Sequence, residues 1–447
     1  NVSVSAAYGP DGEYGGLWIE EETVINEEIP GTDLPAGVVD AENAAPTYIE
    51  AVRALADVPP KPGEKDDYGL SSDGQQKSAF EKALSGPWDP SRSKVDEWLA
   101  KTSKVRKLVR KAVGKEKCQF PVVAQRPKVS AVSLTETLTP WLHPLRTMAE
   151  IQILRGHLLE YKGRIRAALE EHFVTVRIGE QLGGQPSPSM LASRAGWAIQ
   201  AMGQEAIHKC LQRHNVSQQG LHWLAGKLQK PDQLLPEQHA WVDYERVAAL
   251  QLAGWPGTME LALEFEGKDM PAPLRDLLTS RVVRVLWPDR TLTGDFQEYF
   301  DAIERMCKKP PWKALQLEEK QYPKQGLKDW NVIAHAIEPR TKRALVAFAR
   351  TRCSLEALRI EIGLRLFRKK TGGYPEELSA LTPTYLSELP PDPFSGEPFH
   401  YRREGAGWVL YSVGRNRKDD GGDPSVGKER PGPKDIVFRA HIKGGSI

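Results

Sequence analysis

The 447-residue sequence predicts a mainly α-helical protein, a helical-hairpin bundle or short solenoid, that closes with an α+β module. Three observations predict it. From about Leu134 to Arg350, apolar residues recur at helical spacing. The breaks in that pattern are short and carry Gly or Pro, which favours antiparallel helical hairpins. After one last long helical stretch, two strand-like runs flank Glu404-Gly405-Ala406-Gly407, a hairpin signal.

The elements follow in order. Residues 1–45 are rich in Gly, Pro and acids and read as short strands and loops. Helical text begins at Asn43, where Tyr48, Ile49, Val52 and Leu55 share a face until Pro59, Pro60 and Pro62 break it. Residues 93–117 read as one helical region, with Val105, Leu108, Val109 and Ala112 at i, i+3, i+4 and i+7. Ile151, Leu154, Leu158, Tyr161 and Ile165 form one long stripe. Further helices are expected over 188–214, 220–229, 236–255, 274–287 and 294–307, and a surface excursion over the Pro/Lys-rich 308–326. Residues 340–371 read as a single helix stopped by Gly372-Gly373, followed by strands at His400–Arg403 and Trp408–Val413. No fixed repeat period appears. The expected units are an N-terminal region (1–125), a helical domain (126–340) and the α+β module (341–447).

Composition narrows the function. A hydrophobic content of 40% is too high for a disordered chain. No stretch approaches the ~18–20 apolar residues of a membrane span, so any membrane anchor is expected outside this sequence. Residue 1 is Asn, which reads as a processed or trimmed start. Charge is balanced, 61 basic against 59 acidic residues, which argues against a dedicated nucleic-acid binder. The basic run 101–117 holds eight Lys or Arg and one Glu, without aromatic residues, and reads as the solvated face of an amphipathic helix. Cys118, Cys210, Cys307 and Cys353 lack CxxC spacing, and their pairing is left open.

The C-terminal text resembles the major pseudopilin of type II secretion systems. That family runs from a long helix into a GxYP turn, a DPWGxPYxY loop, a YSLGxDG strand end and a terminal DI. The matching residues are Gly373-Tyr374-Pro375, the segment from Asp392 to Tyr401, Tyr411-Ser412-Val413-Gly414, and Asp435-Ile436. One departure is large: in the family this module stands at the chain start behind an apolar helix, and here it follows some 340 residues. The whole chain also resembles a group of exported or membrane-anchored proteins, common in planctomycete-type bacteria, for which no activity is established. That likeness rests on the early ENAAPTYIEAV stretch and on Cys118-Gln119-Phe120-Pro121. It implies export to the periplasm, cell envelope or exterior.

The candidate site is the acidic loop after the second C-terminal strand: Asn416, Asp419, Asp420, Asp423 and, further on, Asp435. Ca²⁺ takes six to eight oxygen ligands, and a loop containing Gly421-Gly422 bends its carbonyls inward at low steric cost. Pseudopilins bind calcium in this loop, so the resemblance implies a structural Ca²⁺ here. The bland alternative is a solvated loop whose acids cap turns. His208, His214, Cys210, Glu205 and His222 suggest a metal only weakly, since residues two apart on a helix point to different faces. His157, His172 and Glu171 would join such a site only if folding gathered them. Twelve Trp, among them Trp141, Trp197, Trp223, Trp241 and Trp255, read as core packing. No GxSxG, HExxH, GxxxxGK[ST] or strand-linked GxGxxG occurs, and no catalytic residue is nominated.

The expected function is non-enzymatic: a structural or assembly protein acting through contacts with other protein subunits or with itself. Two alternatives are a periplasmic peptide- or protein-binding scaffold and an enzyme without a recognisable motif.

Overall fold

The computed structural model describes residues 5–8, 14–18, 41–62, 79–89, 94–120, 123–124, 137–138, 141–186, 188–235, 237–253, 289–320, 332–425 and 435–440. It is mainly helical with a small three-stranded antiparallel sheet at its C-terminal end. The helix expected over 274–287 lies outside the described residues.

The centre is three consecutive antiparallel helices, α5 (Leu142–Tyr161), α6 (Ile165–Gly183) and α7 (Met190–Arg213). The stripe that joined Tyr161 to Ile165 in the sequence is broken here. Gly163 turns the chain with φ +70°, Tyr161 is half exposed, and Ile165 opens the next helix. Ser189 starts α7 by accepting the Ala192 N–H at 3.2 Å, as its position after a Pro-rich break suggests. α6 and α7 approach closely because Gly179 and Gly196 face each other across the contact.

One layer covers this centre from the N-terminal side. It holds α1 (Ala45–Ala56), α2 (Ala79–Ser85), α3 (Lys94–Lys101) and α4 (Ser103–Val113). The single helical region expected over 93–117 is thus two helices. Thr102 is buried between them and donates its hydroxyl to Leu99 O at 2.7 Å. Val105, Val109 and Ala112 face the core while Lys104, Lys107 and Lys111 are exposed, the amphipathic split expected of the basic run. Asn43 clamps the end of this layer. Its Oδ1 accepts from Ala45 N (3.0 Å) and Gln119 N (2.9 Å), and its Nδ2 donates to Gln119 O (2.9 Å). Tyr48, Phe120 and Trp141 then stack in sequence. The ENAAP and Cys-x-Phe segments, 70-odd residues apart in sequence, are two halves of this one knot.

The other side carries α8 (Gln218–Lys227), α9 (Pro231–Leu234), α10 (Val242–Ala253), α11 (Asp289–Cys307) and α12 (Pro311–Glu319). α12 replaces much of the surface excursion read over 308–326. Its prolines sit at the helix start, where a missing N–H costs nothing, and it buries Ala314 and Leu315.

α13 (Val332–Thr371) crosses α7, α8 and α12, and ends where Gly372 takes φ +87°. Leu355, Leu358, Ile362 and Leu366 are buried, and so are Ile360 and Leu364 on the other side. Both faces of the helix are therefore covered by this chain. Two short antiparallel pairs precede the C-terminal sheet, β1 (Ser5–Tyr8) with β2 (Tyr14–Trp18) and β3 (Val123–Ala124) with β4 (Thr137–Leu138). β5 (His400–Glu404), β6 (Gly407–Ser412) and β7 (Ile436–Ala440) form that sheet in this order. β7 was legible only as a terminal Asp-Ile pair. One apolar core runs without a break from Leu169 through α13 to Leu410 and Val413 in and beside β6. Among the described residues, no helix is long and apolar enough to cross a membrane. All four cysteines are buried free thiols.

Candidate functional site

Two polar centres stand out from this packing. The first is in the C-terminal module. Asp392 is fully buried and knits its loop to the end of β6: it accepts from Phe394 N (2.9 Å), Ser412 Oγ (2.8 Å) and Val413 N (3.0 Å). Tyr401 reaches back to Pro375 O at 2.7 Å, and Tyr374 packs edge-on against Trp408. The Tyr-Pro turn, the Asp392 loop and the Tyr411–Gly414 strand end therefore meet in space.

The acidic loop continues from there. Asp435 is buried, and one of its oxygens accepts from Gly422 N (2.7 Å) and Asp423 N (3.2 Å). Its other oxygen is buried with no hydrogen-bond partner. Burial raises the pKa of Asp435, against the pull of those backbone N–H groups. Asp419 accepts from Tyr411 Oη (3.0 Å) and Gly421 N (2.9 Å), Asn416 donates to Asp420 (2.6 Å), and Asp423 accepts from Ser425 N (2.9 Å). The structure thus brings Asp423 and Asp435 together at the loop base. It turns Asp419, Asp420 and Asn416 to local partners. Arg402 and Arg439 donate to the carbonyls of Gly421 (3.1 Å) and Gly422 (3.3 Å).

The second centre lies in the helical core around Glu160, a residue that sequence reading passed over. Its side chain is wholly buried at the C-terminal end of α5. One oxygen, Oε1, is 3.0 Å from His172 Nε2 and 3.9 Å from His157 Nε2. The other, Oε2, is 3.0 Å from His214 Nε2 and 3.2 Å from Arg213 Nη1. Burial alone would raise the Glu160 pKa, yet His172, His157 and Arg213 together bring it down to about 2. His157 Nδ1 stands 2.9 Å from Ala83 O, and only a protonated nitrogen can face a carbonyl, so that nitrogen donates. Burial, aided by His172, brings the His157 pKa down to about 3. The ring is neutral at ordinary pH, and its Nε2 keeps a lone pair. Burial and the nearby Glu160 push the Cys210 thiol up, so it stays protonated. Gly156 makes room for His172: a Cβ there would lie 2.2 Å from the ring.

Among the described residues, two groups bring three donor atoms within 4.8 Å of one another. They are His157–Glu160–His172 and Glu160–Cys210–His214. The remaining metal candidates go elsewhere. His208 pairs with Glu361 on α13, Glu205 with Lys209, and His222 with Gln218. Glu171 takes Arg110 at 2.6 Å. Helical spacing alone had a signal for this centre: His157 and Glu160 are i, i+3 on α5, so they share a face.

A cleft of about 620 Å³ opens between α4, α6, α8 and α9. Arg110, Arg177, Lys227, Lys230, Phe173 and Trp223 line it. Arg166 lies 4.0 Å over the Trp223 ring. Trp141, Trp197 and Trp241 are core residues, and Trp255 lies outside the described residues.

No protein-family model, curated protein or solved structure matches the chain.

Proposed function

We propose that the protein is a structural or assembly component of the cell envelope or of an extracellular filament. It acts through protein–protein contacts, and calcium stabilises its C-terminal module. The observation that carries this reading is the unpartnered, buried Asp435 oxygen at the base of an acidic loop. A buried carboxylate oxygen without a donor is costly, and a hard cation relieves that cost. Asp423 stands beside Asp435, and Asp420 faces it too, its backbone N–H lowering the Asp435 pKa and its carboxylate raising it by less. The convergence of the Tyr-Pro turn, the Asp392 loop and the strand end supports the likeness to pseudopilins. α13 packs into its own chain on both sides, so contacts with other subunits would use the sheet and the loop.

Millimolar Ca²⁺ is expected to raise the melting temperature over that in chelator by a few degrees. This follows from about 1–3 kcal/mol for an ion at 10–100 times its Kd. Asp435→Asn should abolish the difference. Equal melting of the native chain in both conditions would remove calcium from the reading. Particle sizing in the same two buffers tests assembly: monomer at high concentration in both would count against it.

The cleft favours a second reading, a scaffold for acidic peptides. Arg110 and Arg177 are paired with Glu171 and Glu180, and Glu170 also lines the cleft, so Lys227 and Lys230 beside the two aromatic rings are what suit an anionic group next to an apolar one. An acidic, aromatic-bearing peptide should bind with salt-sensitive affinity and about tenfold more weakly to Lys227→Glu. Equal binding by both chains would exclude the cleft.

A further inference from the structure

We propose that His157, Glu160 and His172 form a buried site for one zinc-class divalent ion inside the helical body. Two imidazole nitrogens and a carboxylate oxygen are the donor set that zinc takes, at bond lengths of ~2.0–2.2 Å. Tetrahedral bonds of that length set neighbouring donors about 3.3 Å apart. The Glu160 oxygen has His172 at 3.0 Å and His157 at 3.9 Å, which brackets that spacing.

The unpartnered atoms point the same way. His157 Nε2 is buried with no hydrogen-bond partner, and a Glu160 oxygen that also carries lone pairs stands 3.9 Å from it. Two lone-pair atoms buried this close together favour a cation between them. His157 also makes the contact typical of a ligating histidine, its Nδ1–H held by the Ala83 carbonyl, which fixes the ring and turns Nε2 inward. Arg213 and His214 hold the far oxygen of Glu160 in the same supporting way.

Loading requires one internal change. In the structure His172 Nε2 faces Glu160 as a donor, and its Nδ1 is buried without a partner. The proton moves from Nε2 to Nδ1, which frees the Nε2 lone pair for the ion without changing the charge of the ring. Gly156, against which this ring lies, leaves the space in which it can sit. The ion would reach the site past Arg213 and His214, whose side chains are 28% and 27% exposed. Cys210 belongs to the other donor group, on the far side of Glu160, and is not a ligand in this proposal.

The test uses the full chain, stripped with chelator, reloaded with Zn²⁺ or Co²⁺ and passed through gel filtration. The expected result is one retained ion per chain. The cobalt form should show the visible bands of a four-coordinate nitrogen–oxygen site, three donors from the chain and a water in the fourth position, with no sulfur-to-cobalt charge-transfer band. Cys210→Ser should retain the ion, as should Asp435→Asn, while His157→Gln should lose it. Several results would overturn the proposal: no retained ion in folded native chain, an ion kept by His157→Gln, or a thiolate band that Cys210→Ser abolishes. Should His157→Gln fail to fold by circular dichroism, the native stoichiometry and cobalt spectrum still decide.

Discussion

Gly196→Val is expected to unfold the central helical layer, and even Gly196→Ala should cost about 2–3 kcal/mol in a urea titration. The reason is what a side chain at that position would meet. A Cβ on Gly196 would stand 2.6 Å from Gly179 O and from Gly183 N, and 2.8 Å from Gly183 Cα. A Cβ on Gly179 would stand 2.4 Å from Gly196 O. All of these obstacles are backbone, which cannot rotate away, so the helix axes of α6 and α7 must part. Parting them opens gaps around Val176, Trp197 and Ile199, which are buried beside the contact. Overpacking ordinarily costs about 1–3 kcal/mol, and a rigid obstacle puts the cost at or beyond the top of that range. Working against it is the gain in helix propensity on leaving Gly, about 1 kcal/mol. Gly226 separates the two effects. It lies in α8, where a Cβ would meet nothing within 4 Å, so Gly226→Ala should leave stability unchanged or raise it by up to about 1 kcal/mol. If both alanine variants shift the midpoint alike, close approach is not what holds α6 on α7.

The same glycines show why the sequence disclosed the helices better than their packing. Apolar spacing marks α4, α7 and α13 plainly, because one periodic stripe is enough to predict a helix. A glycine inside such a stripe reads only as a weak position, and whether it is a flaw or a contact depends on a partner far along the chain. The α5–α6 boundary was missed for a related reason. Tyr161 and Ile165 continue the apolar spacing, and the turn rests on the positive φ of Gly163 alone. α12 was hidden by its prolines, which mark a helix start as readily as a loop.

The acidic loop was legible because its residues are adjacent in sequence. The Glu160 centre was not, because its members come from α5, α6 and the end of α7. Glu160 carries no spacing signature beyond its neighbour His157. Only the three-helix packing turns one acid among 59 into a hub.

Glu160→Gln is expected to cost the metal-free chain about 3–5 kcal/mol, the usual result of removing one partner from a buried charge cluster. The amide keeps the shape of the carboxylate but leaves Arg213 without its counter-charge. It also turns an N–H₂ group towards at least one of His172, His214 and Arg213, where only an acceptor is wanted. A pH series in chelator separates charge from packing. His157 titrates at about 3 in the folded protein against an ordinary 6.5, and Glu160 at about 2 against 4.5. In both cases the unfolded chain binds the proton first as pH falls, so acid favours unfolding. Stability should be level above pH 7. Below about 6.5 it should fall through His157, and below about 4.5 more steeply as Glu160 joins, by a few kcal/mol in all. The groups facing this pair are His172, His214, Arg213 and the protonated Cys210. Of these, Cys210 stays protonated across the window. Glu160→Gln removes only the lower limb, since burial and His172 still hold the His157 pKa down. His157→Gln removes the upper one and shrinks the lower, since His157 helps to hold the Glu160 pKa down. A native profile level from pH 7 to pH 4 would mean that His157 is not held neutral in the core.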